Sequence, residues 1–312
     1  MEYKTLGRSG FTVSALGLGA GGPSRIGQSQ NASIDDSVGV VREAIDLGIT
    51  FIDTAEGYGT EEIVGNAIRE RSSREIVLSS KLSPREGDEI KNPESIERAL
   101  DSSLRRLGLE RIEIYHAHGV RPEHYTAVRD NVYPVFERMK EKGKIGSIGI
   151  TEMFGADNGH KMLDRALSDD LWDVVMIGFN MLNFSGRKII RRAVEQRVGV
   201  LDMFAVRRTF REIKELGTHL DQLISNGLLD RGEIERENPF KTALESGECE
   251  SLADMAYRFC LHEPGMGVVL SGTGSVDHLR QNRTSADRSD LSAGIRTRIE
   301  SLFGSIDSVS GN

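Results

Sequence analysis

The chain has 312 residues, a net charge of −8 and a pI near 5.5, a balance that argues against a general nucleic-acid or anionic-membrane binder. With 38% hydrophobic and 28% charged residues the composition is globular, and two cysteines, Cys249 and Cys260, exclude a disulfide framework and most cysteine-built metal sites. There is no apolar run long enough to cross a bilayer and no apolar segment behind Met1-Glu2-Tyr3-Lys4, so the expectation is a cytoplasmic protein with no membrane segment and no signal peptide.

In chain order, the first feature is a pair of short extended segments, 3–6 and 11–14, split by Gly7-Arg8-Ser9-Gly10; they read as a hairpin. Short apolar runs then alternate with amphipathic stretches. Strands are expected over 15–19, 50–53, 76–80, 112–116, 145–150, 174–177, 198–203 and 267–270. Helices are expected between them. The first covers 33–47 and is closed by Gly48. The second covers 61–71. The third is opened by Asn92-Pro93, runs through Ile96, Leu100, Leu104 and Leu107, and ends at Gly108. Further helices run through 135–139 to a stop at Gly143, and over 186–196 and 252–262, and a last one begins near Val276. The polar stretch 207–251 reads as an insertion or extended loop with helical pieces such as 220–224.

Eight strand–helix units in one chain fit an α/β fold of the (β/α)8 TIM barrel type, preceded by a β-hairpin and interrupted by a long insertion after strand 7. The expected organisation is one barrel domain over 1–312. A doubly wound sheet is the alternative, but Gly17-Leu18-Gly19-Ala20-Gly21-Gly22 followed by Pro23 matches the dinucleotide fingerprint poorly.

Barrel active sites sit at the C-terminal ends of the strands. The polar residues there are Asp53, Lys81, His116 or His118, Thr151 with Glu152, and Asn180, with Tyr58 on the loop after Asp53. Successive strands would carry Asp53, Lys81 and the histidine to one mouth. A phenol is a weak acid at neutral pH, and a neighbouring ammonium lowers its pKa. A carboxylate keeps that ammonium charged, and a neutral imidazole can orient a carbonyl oxygen. Together they make an acid for an oxygen on which negative charge develops, as in carbonyl reduction. Side chains cannot supply hydride, so that chemistry requires a nicotinamide cofactor. Other residues have plainer readings: His116 as a satisfied histidine inside the barrel, Glu56 as a loop residue near the mouth, Trp172 as packing at the opposite end, and Arg191-Arg192 as a solvated helix face.

The chain resembles the aldo-keto reductases over nearly its whole length. The resemblance rests on Leu6-Gly7-Arg8-Ser9-Gly10-Phe11-Thr12-Val13-Ser14, Leu16-Gly17-Leu18-Gly19, Phe51-Ile52-Asp53-Thr54-Ala55-Glu56-Gly57-Tyr58-Gly59, Lys81, and Ile114-Tyr115-His116-Ala117-His118. It continues in Gly143-Lys144-Ile145-Gly146-Ser147-Ile148-Gly149-Ile150, in Ser271-Gly272-Thr273-Gly274-Ser275-Val276-Asp277-His278-Leu279, and in Asn282. It implies an NADP-dependent (or NAD-dependent) oxidoreductase acting on a small-molecule carbonyl or alcohol. It assigns Tyr58 as general acid/base, Lys81 and Asp53 as its tuning pair, and His118 as the carbonyl-orienting residue. The implied cofactor contacts are Gly19, Thr151, Glu152, Met176, Met203, Phe204, Arg207, Gly272, Thr273, Gly274, Ser275, His278, Gln281 and Asn282.

The chain departs from the family pattern at several of these positions. Glu152 stands where the family usually has asparagine, Met176 where it has glutamine, and Met203 where it has an aromatic residue. Gly272 and His278 occupy positions that are often basic in NADP-preferring members. Arg207-Arg208, Arg280 and Arg283 are candidates to supply that charge, and the backbone of 272–275 can offer N–H groups to a phosphate. These departures motivate a second reading, a cofactor-sensing or interaction module without turnover. A cofactor-free lyase or isomerase is a third.

Overall fold

The computed structural model describes residues 1–69 and 76–311. The chain opens with an antiparallel hairpin, β1 (Tyr3–Thr5) and β2 (Thr12–Ser14), in the register Lys4↔Val13. Next come β3 (Leu16–Gly19), α1 (Ile34–Asp46), β4 (Phe51–Asp53), α2 (Glu61–Ile68), β5 (Val77–Leu82) and a small hairpin, β6 (Arg85–Glu86) with β7 (Glu89–Ile90). They are followed by α3 (Pro93–Leu107), β8 (Ile112–Val120), α4 (Tyr125–Asn131), α5 (Tyr133–Glu141), β9 (Ile145–Glu152), α6 (Lys161–Asp169), β10 (Val174–Ile177), α7 (Arg187–Glu195) and β11 (Gly199–Asp202). The chain continues with α8 (Ile213–Ser225), α9 (Arg231–Arg236), α10 (Pro239–Glu245), α11 (Leu252–Leu261), β12 (Val268–Ser271), α12 (Val276–Ser285) and α13 (Ala293–Phe303). Strands β3, β4, β5, β8, β9, β10, β11 and β12 pair in parallel, and β12 closes back on β3. This is the expected (β/α)8 barrel with its leading hairpin.

The two-residue period of each strand divides the core. Phe51, Val77, Ile114, Val174, Met176, Leu201, Val268 and Leu270 fill the barrel interior. Their neighbours Ile52, Leu78, Tyr115, Val175, Val200 and Val269 join the layer under the helices. The hairpin plugs the N-terminal end, because Leu6 and Val13 belong to the interior cluster. Gly7 makes this possible. It has φ +50°, and a Cβ there would sit 2.3 Å from the Gly199 nitrogen.

Helix caps follow the sequence signals. Ser33 and Asp36 form a capping box on α1. Asn92 accepts from the Ser95 amide, and Gly108 closes α3 in the left-handed conformation. Positions 70 and 71 of the helix expected over 61–71 lie outside the described residues. Residues 207–251 are more ordered than a loop reading allows, for α8, α9 and α10 all lie there. The stripe Leu216, Leu220 and Leu223 buries one face of α8, while Asp230 and Asn238 cap α9 and α10. Strand β8 also outruns its expected end at 116. Its pairing with β9 shifts register between Ala117 and Val120, where Gly119 (φ +63°) donates to the Thr151 hydroxyl at 2.7 Å. Among the described residues no helix is long and apolar enough to cross a membrane.

Candidate active site

Three adjacent strands bring the expected acid–base set to the C-terminal mouth. Asp53 ends β4, Lys81 lies on β5 and His118 on β8, with Lys81 in register with His116. Tyr58 closes a short 3-10 turn, Glu56–Tyr58, just beyond β4. The Lys81 ammonium is fully buried and donates to Asp53 Oδ2 at 2.5 Å and to the Thr54 carbonyl at 2.8 Å. The other Asp53 oxygen accepts from the Ser79 hydroxyl at 2.8 Å. Lys81 Nζ lies 5.0 Å from the centre of the Tyr58 ring, and the Tyr58 hydroxyl is 3.4 Å from His118 Nε2. The two rings meet edge to face, 5.5 Å apart. Gly21 completes the seat of the tyrosine: a Cβ there would be 2.4 Å from the ring.

Electrostatics assign states to these groups. Burial would lower the Lys81 ammonium, but Asp53 and Tyr58 outweigh it, so Lys81 is held above its ordinary value and stays charged. Burial takes His118 down to about 3, with the Lys81 charge adding to the effect, so the imidazole is neutral. Burial pushes the Tyr58 hydroxyl above the usual phenol range, and the pull of Lys81 opposes it without winning. The net direction is the reverse of the lowering expected from the sequence, because desolvation of a phenolate exceeds the gain from the ammonium. The site therefore holds a protonated phenol.

His116 is not the satisfied histidine the sequence suggested. It lies beneath His118 inside the barrel, and both of its ring nitrogens are buried without a hydrogen-bond partner. Burial, together with Lys81, drives it well below the ordinary imidazole value, so it stays neutral. A Cβ at Gly149 would stand 2.0 Å from its Nδ1, which explains why that strand position is glycine.

The expected cofactor residues fall into distinct groups. Gly19 and Gly272 lie at the ends of the paired strands β3 and β12, and a Cβ at Gly272 would meet nothing nearer than 3.8 Å. Thr151 is buried at the mouth, bonded to Gly119. Met176 is buried in the interior cluster, with Met203 partly buried against it. The Arg207 guanidinium stacks 3.8 Å from the centre of the Phe204 ring, and its Nε is buried without a partner. Arg208, Arg280 and Arg283 are committed elsewhere: to Glu215 at 3.2 Å, to Glu43 at 2.8 Å, and to Asp287 and the Leu47 carbonyl. Thr273 Oγ1 accepts from the Ser275 amide, and Ser275 caps α12 by accepting from the His278 amide. His278 and Gln281 are exposed, whereas Asn282 donates to Ser271 Oγ at 2.9 Å and to the Tyr257 hydroxyl at 3.4 Å.

Glu152, at the end of β9, is committed to protein partners. It is buried, with both oxygens 3.0 Å from His160 Nδ1, and it accepts from the Gly178 amide at 2.8 Å. Asp202, which sequence reasoning passed over, does the same from the other side, accepting from the Phe179 and Phe204 amides at 3.2 and 2.9 Å. The chain leaving β10 is thus pinned between two buried carboxylates. The C-terminal segment was also not foreseen. Asn183 and Asn180 donate to the carbonyls of Val309 and Ser310, and Thr209 donates to that of Gly311, which packs on Arg207.

Asp202 supplies a stability prediction. Its second oxygen has no partner, and burial pushes the carboxyl up to about 7 against its two N–H bonds. The unfolded carboxyl titrates near 4, so between these values the native state holds the extra proton, and stability falls as pH rises through about 7. The full span is about 4 kcal/mol. In Asp202→Asn this slope is expected to vanish, so the variant gains on wild type between pH 5 and pH 8 in urea denaturation. An unchanged slope would exclude Asp202 as its source.

Residues 15–302 match the Aldo/keto reductase family, and the chain belongs to that family of NAD(P)-dependent oxidoreductases. It is 26% identical over 299 residues to the uncharacterized oxidoreductase YqkF of Bacillus subtilis (strain 168), covering 92% of each chain. It is 32% identical over 210 residues to the NADH-specific methylglyoxal reductase of Escherichia coli (strain K12), covering 55% of this chain and 62% of that one. In fold it is similar to an aldo-keto reductase from Klebsiella pneumoniae in complex with NADPH, with TM-score 0.70, 22% identity and 99% of each chain covered. It is likewise similar to the holo form of aldo-keto reductase AKR11C1 from Bacillus halodurans, with TM-score 0.71, 23% identity and 97% and 96% of the two chains covered.

The residues present fit a dinucleotide. The guanidinium of Arg207, whose buried Nε has no hydrogen-bond partner among the described residues, suits a phosphate, and the open backbone at Gly272 leaves room beside the strand ends.

Proposed function

We propose that this enzyme reversibly reduces an aldehyde or ketone to the alcohol, consuming NAD(P)H and one proton per carbonyl. The observation that carries the reading is the Tyr58 hydroxyl beside the neutral His118 ring and above the buried Lys81–Asp53 pair. A nicotinamide nucleotide supplies hydride at the carbonyl carbon when bound. His118, uncharged, orients the carbonyl oxygen by hydrogen bonding. Tyr58 gives its proton to that oxygen as charge develops there, and Lys81 stabilises the phenolate left behind. In the oxidation direction the same phenolate takes the proton back.

The cofactor would lie across Thr151, Met176, Met203 and Phe204 at the nicotinamide end. Arg207 would meet the pyrophosphate, and Gly19, Gly272, Thr273, Gly274, Ser275, His278, Gln281 and Asn282 would hold the adenosine half. Methionine sulfur packs well on a ring, which supports stacking at Met203. Glu152 acts in this reading through the loop after β10 rather than on the carboxamide. NADP is the assigned nucleotide, and NAD is its competitor. Titration with NADPH and with NADH, read by nucleotide fluorescence, is expected to give saturable binding, followed by steady turnover of a nitrobenzaldehyde. Failure of both nucleotides to bind at millimolar concentration would overturn the reading. Binding without turnover of any activated aldehyde would favour a cofactor-sensing module.

A further inference from the structure

We propose that the wall of the mouth next to His118 is a carboxylate-binding subsite, and that the enzyme prefers small carbonyl substrates bearing a carboxylate. The inference rests on the reductase reading above and adds the substrate class to it. A depression of about 360 Å³ opens beside His118, between the β6–β7 hairpin and the turns that follow β8 and β9. Its charged and titratable lining is Arg85, His118, Arg121 and His124, with no carboxylate among the lining residues. In a chain of net charge −8, a cleft beside the proton donor whose lining carries two arginines and no acid is a local exception.

The cations are available to a ligand. Arg85 Nε is buried without a partner. Its Nη1 lies 3.3 Å from His124 Nδ1. The acid on Arg85 Nη2 is Asp88, which is fully exposed, so water screens that pair. Among the described residues the ion pair of Arg121 is with Glu123, 3.9 Å away and itself largely exposed. Glu56, which reaches the rim through the Ser83 amide at 3.0 Å, is already occupied by Lys91 at 3.2 Å. A guanidinium fork pairs with a planar carboxylate through two parallel hydrogen bonds. A carboxylate held by Arg85 and Arg121 would leave the other end of a short molecule at His118 and Tyr58. The volume is at the small end of ligand pockets, which suits a compact oxo acid.

The test compares 4-carboxybenzaldehyde with its neutral methyl ester under saturating nucleotide. The readout is the ratio of their kcat/KM values in wild type, Arg85→Gln, Arg121→Gln and a remote control, Arg98→Gln. Wild type is expected to favour the acid by about 10-fold or more, and each subsite variant to lower the ratio by about 10- to 100-fold, with the control unchanged. Turnover of the ester with no preference for the acid, or a ratio unmoved in both subsite variants, overturns the subsite and leaves the reductase reading standing. Turnover of neither aldehyde overturns the reductase reading. Calorimetric titration with 4-carboxybenzaldehyde then decides the subsite alone: binding lost in Arg85→Gln supports it, and no binding to wild type overturns it.

Discussion

Tyr58→Phe is expected to lower kcat/KM for carbonyl reduction by about 10³-fold while leaving nucleotide affinity unchanged. The loss corresponds to about 4 kcal/mol of transition-state stabilisation. The substitution removes one oxygen and nothing else. The phenyl ring keeps its seat against Gly21 and its edge contact with His118. The Lys81–Asp53 pair keeps its own hydrogen bonds to Ser79 and Thr54. A full-rate Tyr58→Phe enzyme would remove the tyrosine from the mechanism. The wild-type pH profile is a second reading of the same site. His118 titrates near 3 and the Tyr58 hydroxyl lies above the usual phenol range, so neither changes state between pH 5 and 8. The reduction rate is expected to show no histidine limb in that window, and a limb centred near 6.5 would contradict a neutral His118.

The barrel was legible because the chain states it eight times: apolar runs separated by amphipathic stretches and capped by Ser33, Asn92-Pro93 and Gly108. The placement of the residues proposed for acid–base work was legible because strand ends of a barrel converge: Asp53, Lys81 and His118 fall at the mouth, and Tyr58 follows on the turn just after Asp53. What escaped was tertiary. The sense of the Tyr58 shift depends on how deeply the phenol is desolvated, which no spacing reports. Glu152 reads as a misfit at the mouth until Gly178 and His160 are seen around it. Its partner across the β10 exit, Asp202, carries no motif and is visible only as a buried carboxylate with an idle oxygen. Residues 207–251 misled for a related reason. Two of their three helices, α9 and α10, are short, and what fixes the region is a narrow stripe on α8, Leu216, Leu220 and Leu223, together with caps at Asp230 and Asn238.

Lys81→Met carries the second large effect, because here stability and catalysis meet in one buried pair. Removing the ammonium leaves Asp53 in a closed site with Ser79 as its remaining side-chain donor among the described residues, and an orphaned buried charge costs about 3–5 kcal/mol. A lower denaturation midpoint is therefore expected, together with loss of reduction, since nothing remains to stabilise the Tyr58 phenolate. The double variant Asp53→Asn/Lys81→Met separates the two roles. It removes the uncompensated charge, so most of the lost stability should return, as measured by urea denaturation. Activity should not return, because the field at the phenol has gone. Nucleotide binding serves as the control that the mouth is intact. Recovery of both stability and turnover in the double variant would mean that the pair is architectural, and that the proton reaching the substrate oxygen owes nothing to Lys81.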